Sequence, residues 1–121
     1  MDLITLKKLL NQAWCAETAQ GFWRADCPSL NQCAVTALVV QDYFGGDLLR
    51  CKMTNGNSHY WNRFPDGTEH DFTEDQFAYI SDQPLKNNYI VRNREYVLSF
   101  PDTLARYNIL KKRINSLLTP L

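Results

Sequence analysis

The pattern of apolar and polar residues is most distinctive between Asn31 and Gly46. From residue 34 to residue 44 the chain is apolar on nearly every side of a helix, and only a threonine, a glutamine and an aspartate interrupt it. A helix that is apolar all round is a buried helix. Asn31 suits an N-cap, and the two glycines at 45 and 46 suit the left-handed position that ends a helix. The sequence therefore predicts a central buried helix from Asn31 to Phe44.

One amphipathic helix is predicted before this element and another after it. In residues 3 to about 18, apolar side chains recur at the three-and-four spacing of a helix; they are Leu3, Leu6, Leu10, Ala13 and Trp14. The last segment, starting near Pro101 and Asp102, has a similar stripe; it consists of Leu104, Tyr107, Leu110, Ile114, Leu117 and Leu118. The cations at positions 111–113 are expected on the solvated face of this last helix.

Short strands are predicted after the central helix, over residues 48–53, 58–64 and 68–73. Asn55-Gly56 is the preferred pair for a two-residue type I′ hairpin turn. The next connection, from Phe64 to Thr68, has Pro-Asp-Gly at its centre and suits a three-residue hairpin loop. A short helix is expected to start at Thr73. Residues 89–98 could form a strand, a short helix, or one after the other. The expected fold is α+β, with the central helix packed on an antiparallel sheet of three to five strands.

Composition narrows the class of protein. A length of 121 residues fits a single domain, residues 1–121. Thirteen basic residues balance thirteen acidic ones, which argues against a nucleic-acid partner. The apolar runs are too short to span a bilayer, and the N-terminus lacks the order of a signal peptide. We therefore expect a cytoplasmic protein without a membrane partner.

Four cysteines lie at positions 15, 27, 33 and 51, and in the cytoplasm they should stay reduced. They form no C-x-x-C pair, so a zinc site has little support, and no cofactor is expected. Cys33 falls in the first turn of the central helix, where the positive end of the helix dipole stabilises a thiolate, the nucleophilic form of cysteine. The alternative is that Cys33 only packs, since free cysteine is among the most buried residue types.

A thiolate nucleophile needs a base, and the base needs an orienting group. Pairing Phe64 with Thr68 across their loop makes His59 and Asp71 diagonal neighbours on one face of a hairpin. A carboxylate there can accept the imidazole N–H and stabilise the charged ring. His70 falls on the opposite face, and we interpret it as structural. Cys33, His59 and Asp71 are therefore the predicted catalytic residues.

The segments N-Q-C-A-V-T-A, H-Y-W-N and D-F-T, starting at residues 31, 59 and 71, resemble the Cys-His-Asp signature of transglutaminase-like proteins, within the papain-like cysteine hydrolase superfamily. At closer range the chain resembles the YunG-like group of small bacterial proteins, which share G-G after the helix, S-H-Y-W-N-R and D-x-T-x-x-Q-F. The resemblance implies a papain-like core. It also implies that Gln32, beside the nucleophile, contributes to an oxyanion hole with the Cys33 backbone N–H.

The predicted function is a thiol-dependent hydrolase or acyl transferase acting on an amide, peptide or thioester bond, with an unidentified acyl, peptide or small amide substrate. Trp61, Trp23 and Tyr60 are predicted to line the approach to Cys33, although each could equally be a core residue. Two alternatives remain open at this point: a catalytically inactive papain-like binding or interaction module, and a purely structural domain.

Overall fold

The computed structural model of the protein describes residues 1–119. It confirms an α+β architecture in which a buried helix packs on an antiparallel sheet. The elements, in chain order, are α1 (Leu3–Ala13), α2 (Cys33–Phe44), β1 (Asp47–Lys52), β2 (Ser58–Arg63), β3 (Glu69–His70), β4 (Ile90–Arg92), α3 (Arg94–Leu98) and α4 (Pro101–Leu118). Short 3₁₀ helices cover Ala16–Thr18, Glu74–Ala78 and Lys86–Asn88.

Helix α2 is the centre of the fold, as the apolar pattern predicts. Its residues from Val35 to Val40 are all buried. Val35, Val39 and Val40 pack in one core cluster with side chains of α1 and α4, while Ala37 and Leu38 pack against Leu48 of the sheet. Because two layers cover it from opposite sides, the helix is apolar all round.

The start of α2 differs from the prediction. Gln32, not Asn31, is the N-cap, and it caps without a side-chain hydrogen bond. Asn31 has a φ of 58°, a left-handed conformation that asparagine tolerates better than most residues. Its amide side chain donates to the carbonyl of Phe22 at 2.7 Å. Asn31 therefore turns the chain into the helix instead of capping it.

The two terminal helices differ from the prediction, α1 in its length and α4 in the burial of its apolar stripe. α1 ends at Ala13, not near residue 18, because Trp14 leaves helical geometry and its indole donates to Thr36 Oγ1 at 2.8 Å in the core. In α4, Leu110 and Ile114 are fully buried. The predicted stripe residues Leu104, Leu117 and Leu118 are instead 41–44% exposed.

The cations of α4 are not simply a solvated face. Lys111 forms an ion pair with Asp42 of α2 at 3.0 Å. Arg113 donates from Nε to the carbonyl of Ala13 at 2.6 Å, an acceptor left over at the C-terminal end of α1. Two of the three cations therefore tie α4 to the neighbouring helices.

The sheet has the strand order β3-β2-β1-β4, and every pairing is antiparallel. The β1–β2 turn is not the two-residue type I′ turn expected of Asn55-Gly56. Only Gly56 has a positive φ there, whereas type I′ requires it at both central residues. The Gly56 N–H bonds to the Met53 carbonyl at 2.9 Å, so the connection is a three-residue loop with glycine in the left-handed position.

The β2–β3 connection has the predicted three-residue loop and register. Phe64 N–H bonds to the Thr68 carbonyl at 2.8 Å, and Gly67 N–H to the Phe64 carbonyl at 2.9 Å. β3 is, however, only two residues long. It ends because the Asp71 carboxylate accepts from the backbone N–H of Thr73 at 3.2 Å, which turns the chain into the following 3₁₀ helix.

The sequence pattern left open whether residues 89–98 form a strand, a short helix, or one after the other. They form β4 followed by α3. Within residues 1–119, no helix combines the length and apolar character needed to cross a bilayer.

Candidate active site

The centre of the site is a buried pair, His59 and Asp71. His59 Nε2 lies 2.7 Å from Asp71 Oδ2, and the two side chains are 1% and 3% exposed. β2 supplies His59, and the segment just after β3 supplies Asp71. The observed register, with Asn62 opposite His70, is the predicted one and brings these two side chains together.

Both carboxylate oxygens of Asp71 accept hydrogen bonds. Its Oδ2 also accepts from Lys86 Nζ at 2.8 Å, and its Oδ1 accepts from the Thr73 backbone N–H and hydroxyl at 3.2 and 3.3 Å. Burial alone would raise the pKa of Asp71, but hydrogen bonds and charge from His59 and Lys86 outweigh it and lower that pKa. Asp71 is therefore held as a carboxylate, and Lys86 is a partner that the sequence did not reveal.

Cys33 is the first residue of α2 and is half-buried. Its sulfur lies 3.9 Å from the carbonyl oxygen of Ser58, the residue preceding His59. The helix tip therefore meets the sheet where β2 begins. The Cys33 N–H belongs to the first turn, where a helix has no internal acceptor for it.

The His59 ring is charged by its neighbours. Burial lowers the pKa of His59, but the hydrogen bond with Asp71 and the nearby Cys33 sulfur outweigh it and raise that pKa to about 9. His59 Nδ1 is buried and has no hydrogen-bond partner of ordinary geometry within the described residues. With Nε2 held by Asp71, Nδ1 is the nitrogen left for exchanging a proton with the thiol.

Cys33 and His59 share a pocket of about 260 Å³. Its other lining residues carry no formal charge; they are Gln20, Asn31, Met53, Asn57, Ser58 and Gln76. Larger, shallower grooves of about 580 and 540 Å³ run along α4 and between α1 and β3, and neither contains Cys33. The pocket at Cys33 is therefore small and polar, and within residues 1–119 Cys33 and His59 are its only ionisable lining residues.

The aromatic residues predicted to line the approach to Cys33 do not line this pocket. Trp61 is 2% exposed and packs with Leu49 and Cys51, on the sheet face away from α2. Tyr60 alternates to the other face and packs near α2. Trp23 donates its indole N–H to the carbonyl of Pro28 at 2.9 Å, within its own loop. All three serve packing or loop structure in this arrangement.

The Gln32 side chain is likewise absent from the pocket lining. It is fully buried, its Nε2 donates to the Cys15 carbonyl at 2.9 Å, and its Oε1 has no partner within the described residues. The side-chain donors that line the pocket include the amides of Gln20 and Asn57. Sequence reasoning missed both because they lie in loops whose docking is not encoded in local spacing.

All four cysteines are free thiols. Among residues 1–119, no group of three or more His, Cys, Asp and Glu side chains is arranged to hold a metal ion. What the geometry offers chemically is a thiol at a helix tip, a strongly basic imidazole and a buried carboxylate. This is the set of groups that nucleophilic catalysis by cysteine requires.

The comparisons with known proteins agree with one another. The family model described as "YunG protein" matches residues 2–119. The chain is 36% identical over 90 residues to "Uncharacterized protein YunG" of Bacillus subtilis (strain 168), covering 74% of this chain and 72% of that protein. No solved structure matches the chain significantly. Because the family model spans nearly the whole chain, the protein belongs to the YunG family.

Proposed function

We propose that the protein is a thiol-dependent hydrolase or acyl transferase with Cys33 as nucleophile, His59 as acid and base, and Asp71 as orienting carboxylate. The observation that supports this most strongly is the buried His59–Asp71 hydrogen bond at 2.7 Å, beside a pocket that contains Cys33. The proposal includes a papain-like core and a relationship to transglutaminase-like proteins.

In the proposed reaction the Cys33 thiolate attacks the carbonyl carbon of an amide or thioester. The carbonyl π electrons move to oxygen, where the Cys33 N–H can stabilise the charge. The His59 imidazolium then gives a proton to the leaving amine or thiol as its bond to carbon breaks, which leaves an acyl-Cys33. Water or an amine attacks the acyl group, His59 takes its proton, and the thiolate is released.

The pocket limits the substrate. A volume of about 260 Å³ is near the lower end of ordinary ligand sites, so only a small acyl group or one side chain fits beside Cys33. The lining is polar and carries no carboxylate, lysine or arginine. We therefore expect a neutral peptide, small amide or thioester to be accepted more readily than a charged acyl group.

Alkylation kinetics test the activation of Cys33. Near pH 6 an ordinary thiol is almost entirely protonated, so a thiolate paired with His59 should react with iodoacetamide at least about tenfold faster. Cys15 is the matched comparator, since it is also half-buried. Cys27 and Cys51 are buried, and burial raises the pKa of the Cys51 thiol. His59→Gln should bring the Cys33 rate down to that of Cys15. Equal rates at Cys33 and Cys15 in the native protein would refute the proposal.

An inactive binding module is the second candidate, and it is favoured by the position of the Gln32 amide, which is bonded to Cys15 and not directed to the pocket. An activated ester such as p-nitrophenyl acetate separates the two. An enzyme acylates Cys33 and turns over repeatedly, whereas an inactive module stops after one equivalent. Cys33→Ala should abolish both signals, and a signal that survives it would not come from this site.

A further inference from the structure

A buried hydrogen-bonded chain joins Asp71 to the segment that carries Cys33. Gln76 Nε2 lies 3.1 Å from Thr73 Oγ1, and Thr73 Oγ1 lies 3.3 Å from Asp71 Oδ1. At its other end, Gln76 Oε1 accepts from the backbone N–H of Asn31 at 3.2 Å. Thr73 is 1% exposed and Gln76 is 3% exposed, so water competes little for these bonds.

The direction of every bond in this chain is fixed by its end groups. The Asn31 backbone N–H can only donate, so the Gln76 atom facing it must be Oε1. The other end of the Gln76 amide is then an NH₂, and it donates to the Thr73 hydroxyl oxygen. The Thr73 hydroxyl proton is left for Asp71 Oδ1. All donors therefore point towards the carboxylate, and bonds aligned in this way strengthen one another.

The hydrogen bond with Gln76 holds Asn31 at a strained turn just before Cys33. Asn31 has a φ of 58°, a conformation that costs free energy for a residue other than glycine. It lies two residues before Cys33, at the turn into α2. Two further bonds hold the same residue, from its side chain to the Phe22 carbonyl and from Gln20 N–H to its own carbonyl. The turn that sets the position of the Cys33 sulfur is thus held from three sides.

We propose that Thr73 and Gln76 are positioning residues, which fix the helix tip bearing Cys33 relative to the His59–Asp71 pair. This inference rests on the proposed function, since the two residues act through Cys33 and Asp71. Among residues 1–119, their side chains form no hydrogen bond with the Cys33 sulfur or the His59 ring. The positioning role gives a physical reason for the spacing D-x-T-x-x-Q at residues 71–76. The aspartate starts a turn, the threonine returns its hydroxyl to that aspartate, and the glutamine one 3₁₀ turn later spans the gap to α2.

The test compares two threonine substitutions of the same kind. Thr73→Val removes the hydroxyl in the chain. Thr36→Val removes a hydroxyl that is 2% exposed, accepts from the Trp14 indole at 2.8 Å, and has no contact with Asp71 or Asn31 among the hydrogen bonds of residues 1–119. Thr73→Val loses two hydrogen bonds and Thr36→Val loses one, but only Thr73→Val should disconnect the catalytic groups. Thr73→Ser keeps the hydroxyl and should therefore behave like the native protein in both measurements described below.

Two readouts are needed. The first is the rate of Cys33 alkylation by iodoacetamide across about pH 5 to 9, where Thr73→Val and Gln76→Met should lower the rate near pH 6 about tenfold, since small misplacements of reacting groups are costly. The second is hydrogen exchange of the Asn31 amide by NMR, which should accelerate in both variants. Thr36→Val should change neither the alkylation profile nor the Asn31 exchange rate by more than about twofold.

The outcomes separate the two proposals. If Cys33 of the native protein reacts no faster than Cys15, the proposed function fails, and the positioning role fails with it. If native Cys33 is activated but Thr73→Val and Thr36→Val behave alike in both readouts, the positioning inference alone is overturned. An effect of Thr73→Val that Thr73→Ser does not rescue would also contradict it, because the hydroxyl is the group that the chain uses.

Discussion

Asp71→Asn should flatten the dependence of stability on pH above neutrality. The substitution keeps the shape of the side chain and removes its charge, so it leaves the packing around His59 largely unchanged. In the native protein the carboxylate is 3% exposed and lies 2.7 Å from His59 Nε2. Without that charge, burial is left to oppose protonation of His59, and the pKa of the ring should fall.

The size of the effect follows from linkage. The pKa of His59 rises from its usual 6.5 to about 9 on folding, and one pKa unit corresponds to about 1.4 kcal/mol. The charged ring therefore contributes about 3 kcal/mol to the free energy of unfolding. Because the folded pKa is the higher one, this contribution is complete below about pH 6.5 and disappears as the pH rises through about 9. Asp71→Asn should remove much of this contribution, since the hydrogen bond with Asp71 is the largest of the causes that raise the pKa of His59.

Urea unfolding followed by tryptophan fluorescence measures this, at intervals between about pH 6 and pH 10. Asp66→Asn is the matched control, because Asp66 also accepts from the N–H and hydroxyl of a threonine two residues later, Thr68, but on the surface. The control should keep the native pH dependence. NMR titration of the His59 ring gives its pKa directly. Parallel pH profiles for the native protein and Asp71→Asn would refute the reasoning.

Two further predictions concern single contacts. Lys86→Met removes one of the groups that lower the pKa of Asp71, so it should destabilise the protein at neutral pH and reduce the stability lost as the pH falls towards 3. The loss of unfolding free energy should stay below about 1 kcal/mol, since the lysine side chain is 38% exposed. Lys112→Met is the surface control, and its urea unfolding should keep the pH dependence of the native protein. Gly46→Ala should cost about 2 kcal/mol or more in thermal unfolding, because a Cβ there would lie 2.1 Å from the Arg63 carbonyl oxygen at a φ of +80°. Gly21→Ala shares a positive φ but meets open space, and an equal loss in both variants would contradict the steric explanation.

The part of the site that could be predicted is the part that one loop determines. Pro65-Asp66-Gly67 fixes which residues of β2 and β3 face each other, because a three-residue loop with glycine in the left-handed position allows one register. The proximity of His59 and Asp71 follows from that register alone. The length of β3 did not follow, since the carboxylate of Asp71 ends the strand by accepting from Thr73, a local competition that alternation of side chains does not show.

The neighbours of Cys33 could not be predicted in the same way. Gln20 comes from the loop before α2, Asn57 from the β1–β2 connection and Gln76 from a 3₁₀ helix. Their approach to one pocket depends on how distant segments dock. Gln32 is a second residue whose contacts depend on the docking of a distant segment. The family resemblance implied an oxyanion role for Gln32 beside Cys33, but its amide instead bonds to the carbonyl of Cys15, seventeen residues earlier in the chain.

The aromatic residues around His59 have a role that differs from substrate contact. Trp61 stacks with the imidazole at 5.8 Å between ring centroids, and Phe77 meets it edge-on at 4.7 Å. These rings exclude water from His59, and burial of this kind favours the neutral imidazole. The charged form therefore depends on Asp71 and on the Cys33 sulfur together. The charge on His59 is therefore set by the segments that bring Asp71 and Cys33 to one buried ring. A change that displaces either side chain should lower the pKa of His59 even when α2 and the sheet are intact.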